Sequence, residues 1–303
     1  MANFTAKDVQ TLRERTGCGM MDCKKALVEA EGDMSKAVEL LREKGLAAAA
    51  KKAGRIAAEG IVAAVVVDGV GAVAEVNSET DFVGKNADFV AFVDAVARTV
   101  AKQNPADVDA LAAMKLDGSD MAVEEALREK ILVIGENLKI RRFARYEGVV
   151  ATYVHAGGRI GVMVHFDADS AVAAKPEFDA LGKDIAMQIA AITPRYVDKN
   201  AVPADVVEKE KEILTAQAMN EGKPQNIAEK MVQGRIGKFY KDICLLDQQF
   251  VKDGDLTVGQ YVEKVAKELG GNIKVLAFTR FEKGEGIEKK EDNFAEEVAG
   301  MVK

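Results

Sequence analysis

Side chains that do chemistry are scarce in this sequence. There are two histidines and three cysteines in 303 residues. His155 stands beside Gly157-Gly158, and His165 lies near the end of the next strand-like run. No Ser, Cys or Asp stands at a spacing that suggests a nucleophile with its base and orienting group. Cys18 and Cys23 have no His or Cys companions at zinc spacing, so no metal site is expected. An odd cysteine count without a framework fits a reducing cytosol. Gly69-x-Gly71 lacks the rest of a dinucleotide fingerprint, and no phosphate-binding G-x-x-x-x-G-K-[ST] occurs. Carboxylates are plentiful but unclustered. The expectation is a protein that holds no cofactor and makes or breaks no bond itself, hence not an enzyme.

The stretch that stands out is Val76-Asn77-Ser78-Glu79-Thr80-Asp81-Phe82-Val83-Gly84-Lys85-Asn86. A strand-like run, Ala72 to Val76, precedes it. An amphipathic helix follows, with Phe89, Phe92, Val93, Val96 and Val100 at helical spacing. One reading is a strand-to-helix corner, with Phe82 and Val83 turned into the core and Thr80 or Asn86 capping the helix. The other is an exposed acidic tip carrying one aromatic ring.

Composition sets outer limits. The chain is 48% hydrophobic and 30% charged with a net charge of -7, which supports real cores and argues against a nucleic-acid binder. Its longest apolar runs, such as Ile61 to Val67, are too short to span a bilayer. Met1-Ala2-Asn3-Phe4 opens no basic n-region with an apolar h-region behind it, so no secretory signal and a cytoplasmic location are expected. The length suggests two or three domains.

Residues 1–54 read as three short helices. Thr5-x-x-Asp8 resembles a capping box, and Thr16-Gly17 stops the first helix. The second presents Met20, Cys23, Leu27 and Ala30 on one stripe. Gly32-Asp33 breaks and recaps, and Gly45 is expected to end the third. Ala47 to Arg55 then reads as an Ala-rich connector. Met20 and Met21 point about 100° apart on a helix, so both hardly face one small core. Either Met21 packs on a neighbouring helix or one Met is an exposed contact.

The remainder repeats. Glu59-Gly60-Ile61-Val62-Ala63 recurs as Glu147-Gly148-Val149-Val150-Ala151. Each is followed by a strand, a Gly turn (Asp68-Gly69, Gly157-Gly158), another strand and an amphipathic helix, the second through Phe178, Leu181, Ile185 and Ile189. Each copy closes on a similar strand: Asn137-Leu138-Lys139-Ile140 with Phe143 and Arg145, and Asn272-Ile273-Lys274-Val275 with Phe278 and Arg280. The fold class is therefore α+β. Two subdomains, 55–147 and 148–283, each carry a three-stranded antiparallel sheet with helices on one face. The second copy is longer. Its extra length is placed at about 199–245, where Val206, Ile213 and Leu214, then Gly222-Lys223-Pro224, then Ile227, Met231 and Val232 predict an αα-hairpin. Residues 284–303, with Ile287, Phe294, Val298 and Met301, predict a terminal amphipathic helix.

The tip resembles a known signature. Thr80-Asp81-Phe82-Val83 after a Val-Asn segment is similar to the elongation factor Ts family, whose members exchange the nucleotide of the translational GTPase elongation factor Tu. Leu12-Arg13-Glu14-Arg15-Thr16-Gly17 and Gly19-Met20-Met21-Asp22-Cys23-Lys24-Lys25-Ala26-Leu27 agree with it. The likeness extends to Phe281-Glu282-Lys283-Gly284-Glu285-Gly286-Ile287-Glu288. The resemblance implies a ubiquitin-associated-like fold for 1–54 and a coiled-coil arm for 199–245. The arm would serve self-association or partner contact. It makes the tail a further partner-binding module. It assigns Thr80, Asp81, Phe82 and Val83 to dislocating Mg²⁺ from elongation factor Tu, and Arg13, Met20, Met21 and His155 to partner contact. A ubiquitin-associated-type adaptor without exchange activity is the alternative.

Overall fold

A computed structural model describes residues 4–288. The N-terminal helices are α1 (Ala6–Thr16), α2 (Met20–Glu29) and α3 (Met34–Lys52). The Thr5-Asp8 capping box starts α1, left-handed Gly17 ends it, and the Asp33 carboxylate caps α3. Leu12, Cys23, Ala26, Leu27, Ala37 and Leu41 form their common core. Two expectations fail here. Helix α3 runs through Gly45 to Lys52, so Ala47 to Lys52 is helix and not connector. Gly45 is buried against the backbone of Arg128, and the alanines after it have the highest helix propensity, so nothing local ends the helix. Met20 also leaves the buried stripe, which Ala26 completes instead.

The first sheet takes β1 (Glu59–Val67), β2 (Val70–Ser78) and, after three helices, β3 (Lys139–Glu147) in the antiparallel order β1-β2-β3. The intervening helices are α4 (Ala87–Gln103), α5 (Val108–Ala113) and α6 (Val123–Ile134). The second sheet repeats the plan. Strands β4 (Val149–His155) and β5 (Ile160–Ala168) form a hairpin. A helical turn α7 (Ser170–Ala173) and helix α8 (Pro176–Ile192) follow. The inserted helices α9 (Ala204–Asn220) and α10 (Gln225–Ile243) come next. A two-stranded hairpin β6 (Gln249–Phe250) and β7 (Asp253–Thr257) and helix α11 (Val258–Leu269) lead to β8 (Ile273–Glu282), which closes the order β4-β5-β8. The repeat is exact enough to preserve a defect. Register shifts leave Arg141 of β3 and Leu276 of β8 unpaired, each directly after its Ile140 or Val275 counterpart.

Every apolar residue that marked α4 and α8 is buried: Phe89, Phe92, Val93, Val96 and Val100 against the first sheet, Phe178, Leu181, Ile185 and Ile189 against the second. The expectation of one covered face per sheet is overturned. Strand β2 is buried on both faces from Gly71 onward, because the sheets pack against each other. Val62 and Val73 of the first sheet meet Met163 of the second. Glycines allow the approach: a Cβ on Gly71 would collide with Val150 and one on Gly161 with Val62. Tyr146 stacks on His165 at 5.4 Å and its hydroxyl bonds Thr279 Oγ1 at 2.9 Å.

One carboxylate is sealed at the edge of this interface. Glu75, with 0% exposure, accepts from Arg142 Nε at 2.6 Å, Arg141 Nη1 at 3.0 Å, Asn77 Nδ2 at 3.0 Å and the Gly284 N–H at 2.8 Å. Arg142 in turn stacks over Phe281 of β8 at 4.3 Å. Burial alone would push the Glu75 carboxyl up. The Gly284 N–H, the Arg142 guanidinium and the Asn77 amide outweigh it and leave the group below its ordinary range.

The helical hairpin α9–α10 buries Leu214, Ala218, Ala228 and Val232 along its seam. The apolar residues Ile213 and Ile227, expected in that seam, are exposed, while Ala218 and Ala228 take its fully buried places. Its base is closed by Val202, Ile243 and Cys244 with Tyr196 and Phe239, and by the bridge between Tyr196 and Cys244. Helices α5 and α6 and the β6–β7 hairpin had no expectation. The expected terminal helix of Phe294, Val298 and Met301 lies outside the described residues.

Two outcomes follow from this packing. Glu75→Ala should destabilise the chain by about 3 kcal/mol, the lower end for removing one partner of a buried ion pair, because Arg141 and Arg142 keep some water. A carboxyl held below its unfolded value contributes above that value and loses its contribution as pH falls through the folded one. Denaturant melts should therefore show stability dropping below about pH 4, with Glu75→Gln less steep than the parent. Separately, replacing residues 208–236 by a short Gly linker keeps the base cluster and the Tyr196–Cys244 bridge. The shortened chain should still unfold in one cooperative step by circular dichroism; a broad, non-cooperative melt would show that the hairpin is integral to the second sheet.

Candidate functional site

The loop between β2 and α4 divides what sequence left joined. Phe82 is 75% exposed, whereas Val83 is 5% exposed and packs with Ile61 and Phe89 in the first core. The corner reading thus holds for Val83 and fails for Phe82. The split falls at a single 3-10 turn, Val83–Lys85, with Phe82 as its N-cap, where successive side chains point about 120° apart. Gly84 lies flat on β1, where a Cβ would come 3.1 Å from Ile61 Cγ2 and 3.2 Å from the Gly60 carbonyl. Asn86 caps α4 through Oδ1, accepting from Asp88 and Phe89 N–H at 2.9 and 3.1 Å.

The near end of the loop is held from a distance. Glu136 accepts from the N–H groups of Glu79 and Thr80 at 3.0 and 2.9 Å, and from the Thr80 hydroxyl at 2.6 Å. Glu79 accepts from the Asn137 N–H at 2.6 Å and pairs with Arg55 at 3.4 Å. Ser78 donates its hydroxyl to the Thr80 carbonyl at 2.8 Å. Sequence reasoning missed Glu79, Glu136 and Asn137. Their pairing spans 56 to 58 residues and leaves no local periodicity; the one available sign was polar residues at the ends of β2 and α6.

On the outer side, Asp81 and Phe82 share one neighbour. Lys85 Nζ lies 3.6 Å from the Asp81 carboxylate and 5.8 Å from the Phe82 ring centre. All three side chains are solvated, so these contacts are weak and open to exchange for others.

The remaining residues singled out by sequence fall on two neighbouring surfaces. Met20 and Met21 are 56% and 61% exposed, so neither packs into the helical core. With Arg13, Phe4 and Val9 they line a groove of about 1050 Å³ that reaches Asp88, at the start of the helix the tip leads into. His155 ends β4, exposed, with Nδ1 2.9 Å from the Tyr153 hydroxyl. The turn after it approaches the tip's footing: a Cβ on Gly158 would meet Ile61, the residue Gly84 also covers, and the Val62 N–H donates to the Gly158 carbonyl at 2.8 Å. The structure therefore brings the turn after His155 and the loop that carries Phe82 together over Ile61.

Among the described residues no group of three His, Cys, Asp or Glu is assembled to hold a metal. Cys18, Cys23 and Cys244 are buried, and burial pushes their thiols up, Cys244 to about 11, so they are poor nucleophiles. A smaller cavity of about 180 Å³ between α3 and α6 is lined by Cys18, Leu41, Leu132 and Glu129, whose carboxyl burial also pushes up. No helix of the described residues is long and apolar enough to cross a membrane.

Comparison with known proteins gives the chain a family. The family model described as elongation factor TS matches residues 79–285, from the tip to the end of the second sheet. Elongation factor Ts of Clostridium perfringens strain SM101 is 55% identical over 303 residues, covering 98% of this chain and 99% of its own. The elongation factor Ts of Clostridioides difficile strain 630 is 53% identical over 308 residues, covering 100% of each. That of Symbiobacterium thermophilum is 53% identical over 305 residues, covering 98% of each. With the family matched over more than half its length and relatives of this identity over nearly all of it, the chain belongs to the elongation factor Ts family.

Proposed function

We propose that this chain is a guanine nucleotide exchange factor for elongation factor Tu. The observation that carries the reading, beside family membership, is an aromatic ring 75% exposed at the end of a loop anchored on both sides. A ring in water on a fixed mount is suited to burial in a partner, since little ordering remains to be done on binding. A GTPase holds GDP through backbone amides and a Mg²⁺ that demands near-octahedral geometry. Phe82 wedges between elements of the partner. Asp81 disturbs the water and side-chain shell of the Mg²⁺. Thr80 and Val83 keep the tip in shape. Exchange then needs only that the factor bind the nucleotide-free GTPase better than the GDP form. The coupling is reciprocal, so GDP is loosened by the same ratio and GTP displaces the factor in turn.

Around that tip, residues 1–54 serve as a ubiquitin-associated-like docking unit, with Arg13, Met20 and Met21 as its contact face. Residues 55–147 and 148–283 are the two halves of the core, and His155 contributes contact from the second. The arm of α9 and α10 works as a coiled coil; its exposed Ile213, Met219 and Ile227 support self-association into a homodimer or a further partner contact. Residues 284–303 add a further binding module. No nucleic acid or membrane takes part, and the setting is the cytoplasm.

Release of fluorescent GDP from elongation factor Tu, with and without this chain, tests the reading; unchanged release at saturating chain would sink it. Two sets of variants then separate the roles. Phe82→Ala should slow release at saturation roughly 30-fold, as expected for an interface aromatic worth about 2 kcal/mol. Its own stability should move by no more than about 0.5 kcal/mol, because the ring is exposed. Asp81→Ala should slow release when Mg²⁺ is abundant and have little effect under chelation, which does the same work; equal loss in both conditions would remove Asp81 from the Mg²⁺ step. Met20→Ala combined with Met21→Ala should raise the half-saturating concentration about tenfold or more while saturating chain still restores most release. Titration of the release rate distinguishes this from a loss at saturation, which would place the methionines in exchange and not in docking.

A further inference from the structure

The tip leaves the sheet at a definite point. Pairing of β2 ends with Ser78 on one side and Asn77 on the other, so the N–H groups of Glu79 and Thr80 have no strand partner. One carboxylate takes both. Glu136 Oε2 accepts the two N–H groups, and Oε1 accepts the Thr80 hydroxyl. The carboxylate is itself fixed. It follows Gly135, the left-handed cap of α6, and precedes buried Asn137, whose amide donates to the Arg55 carbonyl at 2.7 Å. Asn137 returns a backbone N–H to Glu79, so the two loops each send a carboxylate into the other.

The internal repeat supplies a control. Asn272 stands in the second copy where Asn137 stands in the first, and the residue before it is Gly271. A Cβ there would collide with Val172 of α7. In the second copy β5 passes into α7, and no exposed aromatic tip is formed. The copy without a tip has no carboxylate at the position of Glu136.

We propose that Glu136 is a positioning residue for exchange: its carboxylate holds the near end of the tip so that Asp81 and Phe82 are presented in one geometry. This rests on the exchange reading above. The far end keeps its own anchors in Val83, Gly84 and the Asn86 cap, so loss of Glu136 loosens one end of a surface loop and leaves the core intact. Ordering the loop then falls to the moment of contact with the partner, and the loss appears in the step where the tip acts.

The chain contains no Trp, so Phe82→Trp makes the tip its sole indole reporter. In that background Glu136→Ala should lower the fluorescence anisotropy of the indole with the melting temperature unchanged. In the Phe82 chain, Glu136→Ala should slow GDP release from elongation factor Tu at saturation about tenfold, with the half-saturating concentration within about twofold of the parent. Glu136→Gln, which keeps one acceptor oxygen, should recover part of the rate. An indole as rigid without Glu136 as with it, or an unchanged release rate at saturation, overturns the proposal. So does a large fall in melting temperature, which would make Glu136 a residue of the fold. If the parent chain released no GDP, the exchange reading would fall, while the anisotropy comparison would still decide whether Glu136 holds the tip.

Discussion

The contact between the inner faces of the two sheets is what the rest of this molecule depends on. Each sheet already has a helix on its outer face, so a single copy would leave the apolar inner face of Val62, Val73 and Met163 in water. Back-to-back packing removes it. Glycines at 71 and 161 let the sheets close, and the Tyr146–His165 stack and the Tyr146–Thr279 bond fix their relative placement. Glu75 then ties the end of β8 to the first sheet through Gly284 and Arg142. A buried ion cluster stabilises little over well-packed apolar residues that replace all its members together, but it is intolerant of losing or misplacing one of them, which suits a residue that sets register.

The same contact builds the functional surface. Because the β4–β5 turn rests on Val62 and Ile61, and the tip rests on Ile61 and Gly60, the two halves meet beneath Phe82. The N-terminal helices reach the surface by a different route, through the packing of α3 on α6, whose end carries Glu136. Helix α6 thus meets the N-terminal helices through α3 and the tip through Glu136, just beyond its end. A partner touching both would find them held by one continuous piece of packed structure.

Duplication explains where novelty could be added. The two copies share strand order, hairpin turns, covering helix and even the unpaired residue after Ile140 and Val275. They differ at points where the chain leaves the sheet: the tip and α5–α6 in the first copy, α7 and the α9–α10 arm in the second. Such sites tolerate change because no ladder hydrogen bond is lost there.

Much of this was legible in sequence because it rests on local rules. Helical spacing located α4 and α8, Asp68-Gly69 and Gly157-Gly158 located the hairpins, and motif recurrence revealed the repeat. The family resemblance rested on short runs such as Thr80-Asp81-Phe82-Val83. What sequence could not decide were questions of who covers whom. Alternation says that a strand has two faces, not that both are buried, so the sheet–sheet contact was invisible. Propensity says that Gly45 weakens a helix, not that α6 packs beside it and carries the helix on to Lys52. Adjacent Phe82 and Val83 are both apolar; only the 3-10 turn and the packing of the first core send one inward and the other to solvent. The Glu136 carboxylate meets Thr80 across 56 residues, a contact that exists only once β2 and the end of α6 have been brought together by the core.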